Sequence, residues 1–174
     1  MIKNTLYAFV TAVIIATVWG AVVQTLFNLA HLAAIGVEIS AGVRGGTILS
    51  DIFSGFTPTY GVYVVLPSLL VAFLLATLVI HRQQESRAPR RTAILWYTLA
   101  GGLAILLGNP VVNYLAPVAL LVGATRDVSC LILMSAGGAV AGAVFAGMKP
   151  LRSWPDQPRP RRATRSPDPI VMPQ

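Results

Sequence analysis

The sequence predicts an all-α integral membrane protein, with four transmembrane helices arranged as an antiparallel bundle. Three observations lead to this fold class. Hydrophobic residues make up 55% of the 174 residues. Charged residues make up only 11%, against roughly 25% in a typical soluble domain. The apolar residues also gather in four stretches, each long enough to cross about 30 Å of hydrocarbon as a helix that rises about 1.5 Å per residue.

The four predicted spans are residues 5–35, 60–80, 92–114 and 128–148. The first is about twice as long as the apolar region of a cleaved signal peptide, so we expect an uncleaved membrane anchor. The third contains Asn109-Pro110, which interrupts the apolar run, and the sequence leaves open whether the helix breaks there. None of the stretches shows the alternation of a membrane barrel strand, so all four are expected to be helices.

The outer connection between the first two spans, residues 36–59, carries an apolar stripe with helical spacing. The stripe predicts a short amphipathic helix near residues 47–55, with Thr47 as the N-cap and Gly55 as the stop. Such a helix either lies on the outer surface of the membrane or packs against the ends of the spans. The second arrangement is favoured.

The distribution of charge predicts which ends of the spans face the cytoplasm. Of the 13 Lys and Arg residues, only Arg44 and Arg126 lie in the outer connections. The others lie at the opposite ends of the spans or beyond them: Lys3, Arg82, Arg87, Arg90, Arg91, Lys149, Arg152, Arg159, Arg161, Arg162 and Arg165. Basic residues accumulate in cytoplasmic loops, so both termini are expected to be cytoplasmic. The preference for Arg over Lys favours a bacterial source, and hence a multi-pass protein of the inner (cytoplasmic) membrane.

Residues 1–148 therefore form the predicted transmembrane domain. Residues 149–174 form a basic, proline-rich cytoplasmic tail that is expected to be disordered. The basic residues closest to the membrane are predicted to contact anionic lipid headgroups: Arg82, Arg87, Arg90, Arg91, Lys149 and Arg152. No nucleic-acid-binding motif accompanies this charge, so no nucleic acid partner is expected.

The chemistry open to this chain is limited by what its predicted spans lack. They contain no Asp, Glu, Lys or Arg, whereas proton- or sodium-coupled transporters use an ionisable group inside the membrane. Cys130 is the only cysteine, which excludes a dithiol redox pair and a multi-cysteine metal site. His31 and His81 fall at opposite membrane faces, so they cannot ligate one haem together. We therefore expect no enzyme activity, no cofactor and no metal.

A polar face on the first span is the leading candidate for a ligand site. Gln24, Asn28 and His31 follow at spacings of four and three, which place them on one side of a helix. Asn109 and Asn113 are spaced in the same way on the third span. Counted from the inner ends of their spans, Gln24 lies about 29 Å along and Asn109 about 26 Å, so the two groups reach similar heights. They mark the entry into the headgroups, bond to one another between helices, or line an outward-facing cavity.

Small residues predict close helix packing in the third and fourth spans. On the fourth span they form two adjacent ridges, Ser135, Ala139, Ala143 and Gly147 beside Gly138, Gly142 and Ala146. The third span has a matching ridge of Ala100, Ala104 and Gly108. The ridges fit either a tight hairpin within the chain or a docking face for a partner helix. Two ridges on one helix exceed what a single neighbour needs, which favours association with a partner.

Two function classes follow from these observations. The sequence best fits a structural or accessory subunit that packs through its small-residue faces with other integral membrane proteins or with further copies of itself. The alternative is a binding or transport protein, not coupled to protons, with an outward-facing amide-lined cavity for a lipid-like, quinone-like or uncharged solute. Membrane lipids are expected partners in both cases.

Overall fold

A computed structural model of the chain describes residues 2–54, 56–83, 90–115 and 127–149. All regular structure in these ranges is helical, with no strand. The helices are α1 Ile2–Ala34, α2 Ala41–Phe53, α3 Phe56–Tyr60, a π-helical turn Gly61–Val65, α4 Leu66–Gln83, α5 Arg90–Leu115 and α6 Val128–Met148. Residues 150–174 of the predicted tail lie outside the described residues.

Four helical segments in the described ranges are long and apolar enough to cross a membrane. They are Lys3–Ala34, Phe56–Arg82, Arg91–Leu115 and Val128–Met148. The prediction of an all-helical chain with four such segments is therefore confirmed over the part of the chain that the structure describes. These segments are the mark of a multi-pass membrane protein.

The second span combines α3, the π-helical turn and α4, and it begins at Phe56 rather than at residue 60. In the turn, the N–H of Leu66 bonds to the carbonyl of Gly61, five residues earlier. Pro67 follows at once, and a proline has no N–H to donate and crowds the carbonyl four residues before it. A widened turn at this point is a known way for a helix to accommodate such a break.

The third span runs without interruption from Arg90 to Leu115, with Pro110 inside the helix. The question left open by Asn109-Pro110 is thus resolved in favour of a continuous helix. Pro110 removes one N–H from the hydrogen-bond ladder, but the turns on both sides retain their own bonds, and a membrane offers the backbone no water as a substitute.

Helix α6 lies against two neighbours, α5 and α1, and α4 lies against α5. The core between the helices contains small and aromatic side chains, whereas the exposed surface is rich in large aliphatic ones. On α5, for example, Leu95, Leu99, Leu103 and Leu107 are all exposed at a spacing of four. Small residues thus occupy the contacts between helices, and large aliphatic residues occupy the lipid-facing surface.

The outer connection contains a longer helix than the sequence indicates, because α2 begins at Ala41. Ser40 is its N-cap, with Oγ accepting a hydrogen bond from the N–H of Val43 at 3.3 Å. Thr47 lies inside the helix and donates to the carbonyl of Val43 at 2.9 Å. The helix ends at Phe53, and Gly55 lies outside the described residues. Helix α2 contacts α1, as expected for a helix packed on the end of a span.

Candidate functional site

Four buried side-chain oxygens have no hydrogen-bond partner among the described residues. They are Gln24 Oε1, Thr57 Oγ1, Tyr60 Oη and Asn109 Oδ1. We call these four residues the outer polar cluster, where outer means the end of α1 that α2 contacts. Tyr60 is 1% exposed, Asn109 is fully buried, and Gln24 is 8% exposed. A buried polar group without a partner costs about 1–3 kcal/mol, so an unsatisfied set of this size is the most unusual polar feature of the chain.

Glycines bring α1 and the second span into the close contact that positions the cluster. The ring of Tyr60 lies on Gly20, where an added Cβ would be only 2.5 Å from Tyr60 Cε1. Further in, Gly61 faces Thr17, whose Cγ2 would be 3.0 Å from an added Cβ. Gln24 follows Gly20 by four residues and Thr57 precedes Tyr60 by three, so each lies about one turn from the contact between Gly20 and Tyr60 on its own helix.

The orientation of the Asn109 amide is fixed by its own helix. Nδ2 donates to the carbonyl of Ile105 at 3.1 Å. That carbonyl can only accept, so the amide cannot be reversed and Oδ1 must point away from it. The Tyr60 hydroxyl is near enough to interact with Asn109, yet neither Tyr60 Oη nor Asn109 Oδ1 completes a hydrogen bond of ordinary geometry within the described residues.

Helix α2 contributes an acidic residue at the outer end of α1. The hydroxyl of Thr25, which is 2% exposed, lies 2.6 Å from Asp51 Oδ2 and 2.9 Å from the carbonyl of Ala21. Thr25 is next to Gln24 in sequence, so this contact borders the outer polar cluster. Asp51 therefore ties α2 to the part of α1 that carries the cluster.

The structure separates the five residues that the sequence grouped as a ligand site. Gln24 and Asn109 are buried, and both belong to the outer polar cluster. Asn28 is half-buried, whereas His31 and Asn113 are exposed. Asn113 is engaged in an interaction of its own. Only the deeper amide on each helix therefore belongs to the cluster.

Sequence reasoning missed the two hydroxyl members, Thr57 and Tyr60. Thr57 was assigned to the outer connection, and Tyr60 marked the start of the second span. The usable signal was their spacing of three, which puts both on one face once the helix begins at Phe56.

No protein-family model, curated protein or solved structure matches this chain.

Aromatic rings from four helices form a second layer of contacts between the helices. Phe73 stacks on Phe145 with ring centroids 4.5 Å apart, and its edge contacts Tyr97 at 5.6 Å and Phe9 at 6.2 Å. Tyr97 also meets Phe145 edge-on at 5.0 Å. The four rings belong to α1, α4, α5 and α6. Gly20 and Gln24 lie about three and four turns further along α1 than Phe9, so the polar cluster and the aromatic layer occupy different levels of the helix assembly.

A directional chain of hydrogen bonds continues from this aromatic layer. Lys149 Nζ donates to Tyr97 Oη at 2.9 Å. Thr77 already donates to the carbonyl of Phe73 at 2.6 Å, so the 2.8 Å contact between Tyr97 and Thr77 has the tyrosine as donor. The ammonium of Lys149 also lies 5.2 Å from the centre of the Tyr97 ring.

The predicted lipid-contact residues are placed unequally. Arg82 and Arg91 are exposed, whereas the charge of Lys149 is engaged with Tyr97. Arg87 and Arg152 lie outside the described residues, and for Arg90 only its place at the start of α5 is described.

The predicted small-residue interface is used within the chain. A Cβ added to Gly101 would collide with the carbonyl of Gly138, and one added to Gly142 would collide with the carbonyl of Tyr97. On the adjacent side of α6, Gly137 lies under the indole of Trp19 from α1. The remaining members are either buried (Ala146), half-buried (Ala100, Ala104, Gly108, Ser135, Ala139, Ala143) or exposed (Gly147). Both predicted ridges of α6 therefore border α5, since Gly102 of α5 faces Ala139, whereas the contact with α1 uses Gly137, which belongs to neither ridge.

Proposed function

We propose that this chain is a multi-pass binding protein of the bacterial inner membrane, not coupled to protons, which holds a lipid-like, quinone-like or other uncharged ligand at its outer polar cluster. The observation that carries the proposal is the set of buried oxygens without partners at Gln24, Thr57, Tyr60 and Asn109. A ligand that hydrogen-bonds to them would recover the cost of their burial. The cluster itself contains no charged residue, which favours an uncharged group.

The proposal includes the topology, with spans that alternate in direction and termini in the cytoplasm. Residue pairs support it, because Phe9 meets Phe73 while Gly20 meets Tyr60, so numbers rise on α1 as they fall on the second span. The same relation holds between α5 and α6, whose packing pairs Gly101 with Gly138 and Tyr97 with Gly142. The basic residues at one set of ends make that side cytoplasmic. The outer polar cluster then faces the outer leaflet.

The aromatic layer favours binding over passage through the protein. The rings of Phe9, Phe73, Tyr97 and Phe145 lie on the inner side of the cluster and contact one another. A polar ligand moving inward would have to separate these rings and the helices that carry them. An outward-facing site with a closed inner side fits a retained ligand.

The accessory-subunit hypothesis remains a prediction. The small-residue ridges of α6 that motivated it also pack against another helix of the same chain. Both ridges of α6 border α5, where Gly138 and Gly142 meet its backbone and Ala139 faces Gly102. Partners among other integral membrane proteins, or further copies of this chain, would therefore have to contact the large aliphatic residues of the surface. The native mass of the purified complex tests this hypothesis.

The binding proposal is tested by the contents of the purified protein. The full chain is extracted in a mild detergent, and its bound lipids, quinones and small solutes are identified by mass spectrometry. We expect one molecule retained per chain, lost in Gln24→Leu and in Asn109→Leu, and kept in the control Tyr7→Phe, whose side chain is exposed. A protein that retains nothing, or Leu variants that fold and retain the ligand, would overturn the proposal.

A further inference from the structure

We infer that α2 is embedded in the outer leaflet of the membrane, with one uncharged side of the helix covered by phospholipid. We call this side the lipid face, and it consists of Gly42, Val43, Gly46, Leu49 and Phe53. The inference concerns a surface away from the outer polar cluster, and it holds whether or not that cluster binds a ligand.

The lipid face is open along the whole length of α2. Phe53 is 78% exposed, and Leu49 and Val43 are exposed as well. A Cβ added to Gly42 or to Gly46 would meet no atom within 4 Å among the described residues. Residues 42, 46, 49 and 53 follow at spacings of four, three and four, which place them on one side of the helix. A continuous exposed apolar strip of this kind marks an interaction surface.

The charged residues of α2 lie on the opposite side of the helix. Asp51 is bonded to Thr25 of α1, which identifies the side of α2 that faces the span. Arg44 precedes Asp51 by seven residues, or about two turns, so it lies on that same side. Ser50, at the edge of the lipid face, is uncharged. A helix packed on a protein in water has its charges outward and its apolar residues inward, so the reversed arrangement of α2 indicates apolar surroundings.

The contact between Asp51 and Thr25 also sets the level of α2 relative to the membrane. Thr25 lies about 33 Å along α1 from Lys3, and the hydrocarbon core is about 30 Å thick. On α5, the exposed Tyr114 lies about 35 Å from Arg91, at the level where interfacial tyrosines are found. The C-terminal end of α2 is therefore at the boundary between hydrocarbon and headgroups.

The lipid face continues the surface of the neighbouring spans. On α1, Leu26 follows Thr25 and is exposed. On the second span, which begins three residues after Phe53, Val62 and Tyr63 are exposed. Phospholipid is favoured over a protein as the occupant of the lipid face, because it already surrounds these adjoining residues.

Spin labels in vesicles test the inference on the full chain. The buried Cys130 is removed by Cys130→Ala, and a nitroxide is attached in Leu49→Cys or in Phe53→Cys. The vesicles contain phosphatidylcholine and phosphatidylglycerol. Power saturation compares the collisions of each label with oxygen, which dissolves in lipid, and with nickel ethylenediaminediacetate, which stays in water. We expect both labels to favour oxygen and to lie about 5–10 Å below the lipid phosphates.

Two further labels calibrate the measurement. Leu103→Cys is the lipid reference, because Leu103 is exposed near the middle of α5. Glu38→Cys is the water reference, because Glu38 is exposed in the connection between α1 and α2. Labels on α2 that favour nickel would overturn the inference, because the face would then lie in water. Labels shielded from both reagents would also overturn it, because a second copy of the chain or another protein would then cover the face.

A pair of neighbouring glycines gives a matched test by charge. Gly46→Glu adds a carboxylate to the lipid face, and Gly45→Glu adds one to the adjacent side, which lines a groove with Arg44. Neither new Cβ would collide with the protein. We expect the first substitution to raise the nickel accessibility of the label at Phe53 several-fold and the second to leave it unchanged. Equal effects of the two substitutions, including no effect, would overturn the inference.

Discussion

Trp19 on α1 donates a hydrogen bond of 2.8 Å from its indole Nε1 to the backbone carbonyl of Leu133 on α6. The same indole covers Gly137, one turn further along α6, where an added Cβ would collide with it. A glycine under a tryptophan lets the two helices approach until a side chain bonds directly to a backbone carbonyl. Trp19 thus joins α1 to α6 both by packing on Gly137 and by a hydrogen bond to the Leu133 carbonyl.

Gly137→Ala should therefore destabilise the protein. The methyl group must displace the indole and disturb its bond to Leu133, at a cost of about 1–3 kcal/mol. The free energy of unfolding can be measured by denaturant titration in mixed micelles. Gly147→Ala is the control, because an added Cβ there meets no atom within 4 Å. Equal stability of the two variants would contradict the contact.

Gly142→Ala should destabilise the contact between α5 and α6 more strongly than Gly102→Ala. At Gly142 the new methyl would collide with the backbone carbonyl of Tyr97, which cannot move without its helix. At Gly102 the nearest atom would be Ala139 Cβ at 3.5 Å, an ordinary contact. We expect a loss above about 2 kcal/mol for the first variant and less than about 1 kcal/mol for the second, measured by the same titration.

Asn109→Leu should stabilise the ligand-free protein. The substitution removes a fully buried oxygen that has no partner among the described residues. It also removes the 3.1 Å bond from Nδ2 to the Ile105 carbonyl, which offsets part of the benefit, so the expected gain in unfolding free energy is about 1 kcal/mol. The ligand-free state is prepared by exhaustive detergent washing, and retained ligand is checked in the same sample. A destabilised variant would mean that Asn109 Oδ1 bonds to Tyr60 across the helix interface, which is the structural alternative to a ligand site.

Thr25→Val should loosen α2 without loosening the rest of α1. The substitution preserves side-chain size but removes the hydroxyl bonded to Asp51. Loss of one buried hydrogen bond to a carboxylate predicts about tenfold faster amide exchange in α2. Hydrogen exchange read by mass spectrometry measures this, with Thr11→Val as control, because Thr11 bonds only to the carbonyl of Tyr7 in its own helix. Unchanged exchange in α2 would show that other contacts hold it.

Apolar length was enough to predict the spans, because a helix that crosses hydrocarbon must be long and nearly free of charge. Helical spacing and depth selected five polar residues, and of these only Gln24 and Asn109 are buried. Small residues likewise indicated close packing, but their spacing alone could not say that α6 has two neighbours. Lys149 was expected to face lipid, and its bond to Tyr97 depends on where α5 begins.

Thr57 and Tyr60 were missed for a different physical reason, although their spacing of three places them on one helical face. Pattern reading assumes one helical period along a whole span, and the π-helical turn breaks that period between Tyr60 and Leu66. The start of α2 was missed because Ser40 and Thr47 are both acceptable N-caps by residue type. Only the packing of α2 on α1 distinguishes them.

The π-helical turn gives the second span two separate inward faces. One extra residue in a helix rotates everything after it by about 100°. Beyond the turn, Leu69, Phe73 and Ala76 face the core, while before it the inward face belongs to Thr57 and Tyr60. The two parts of the span therefore present different side chains to the other helices: hydroxyls before the turn and an aromatic ring after it. Deleting one residue from Gly61–Val65 would leave the span long enough to cross the membrane. It would rotate Thr57 and Tyr60 away from the core relative to Phe73.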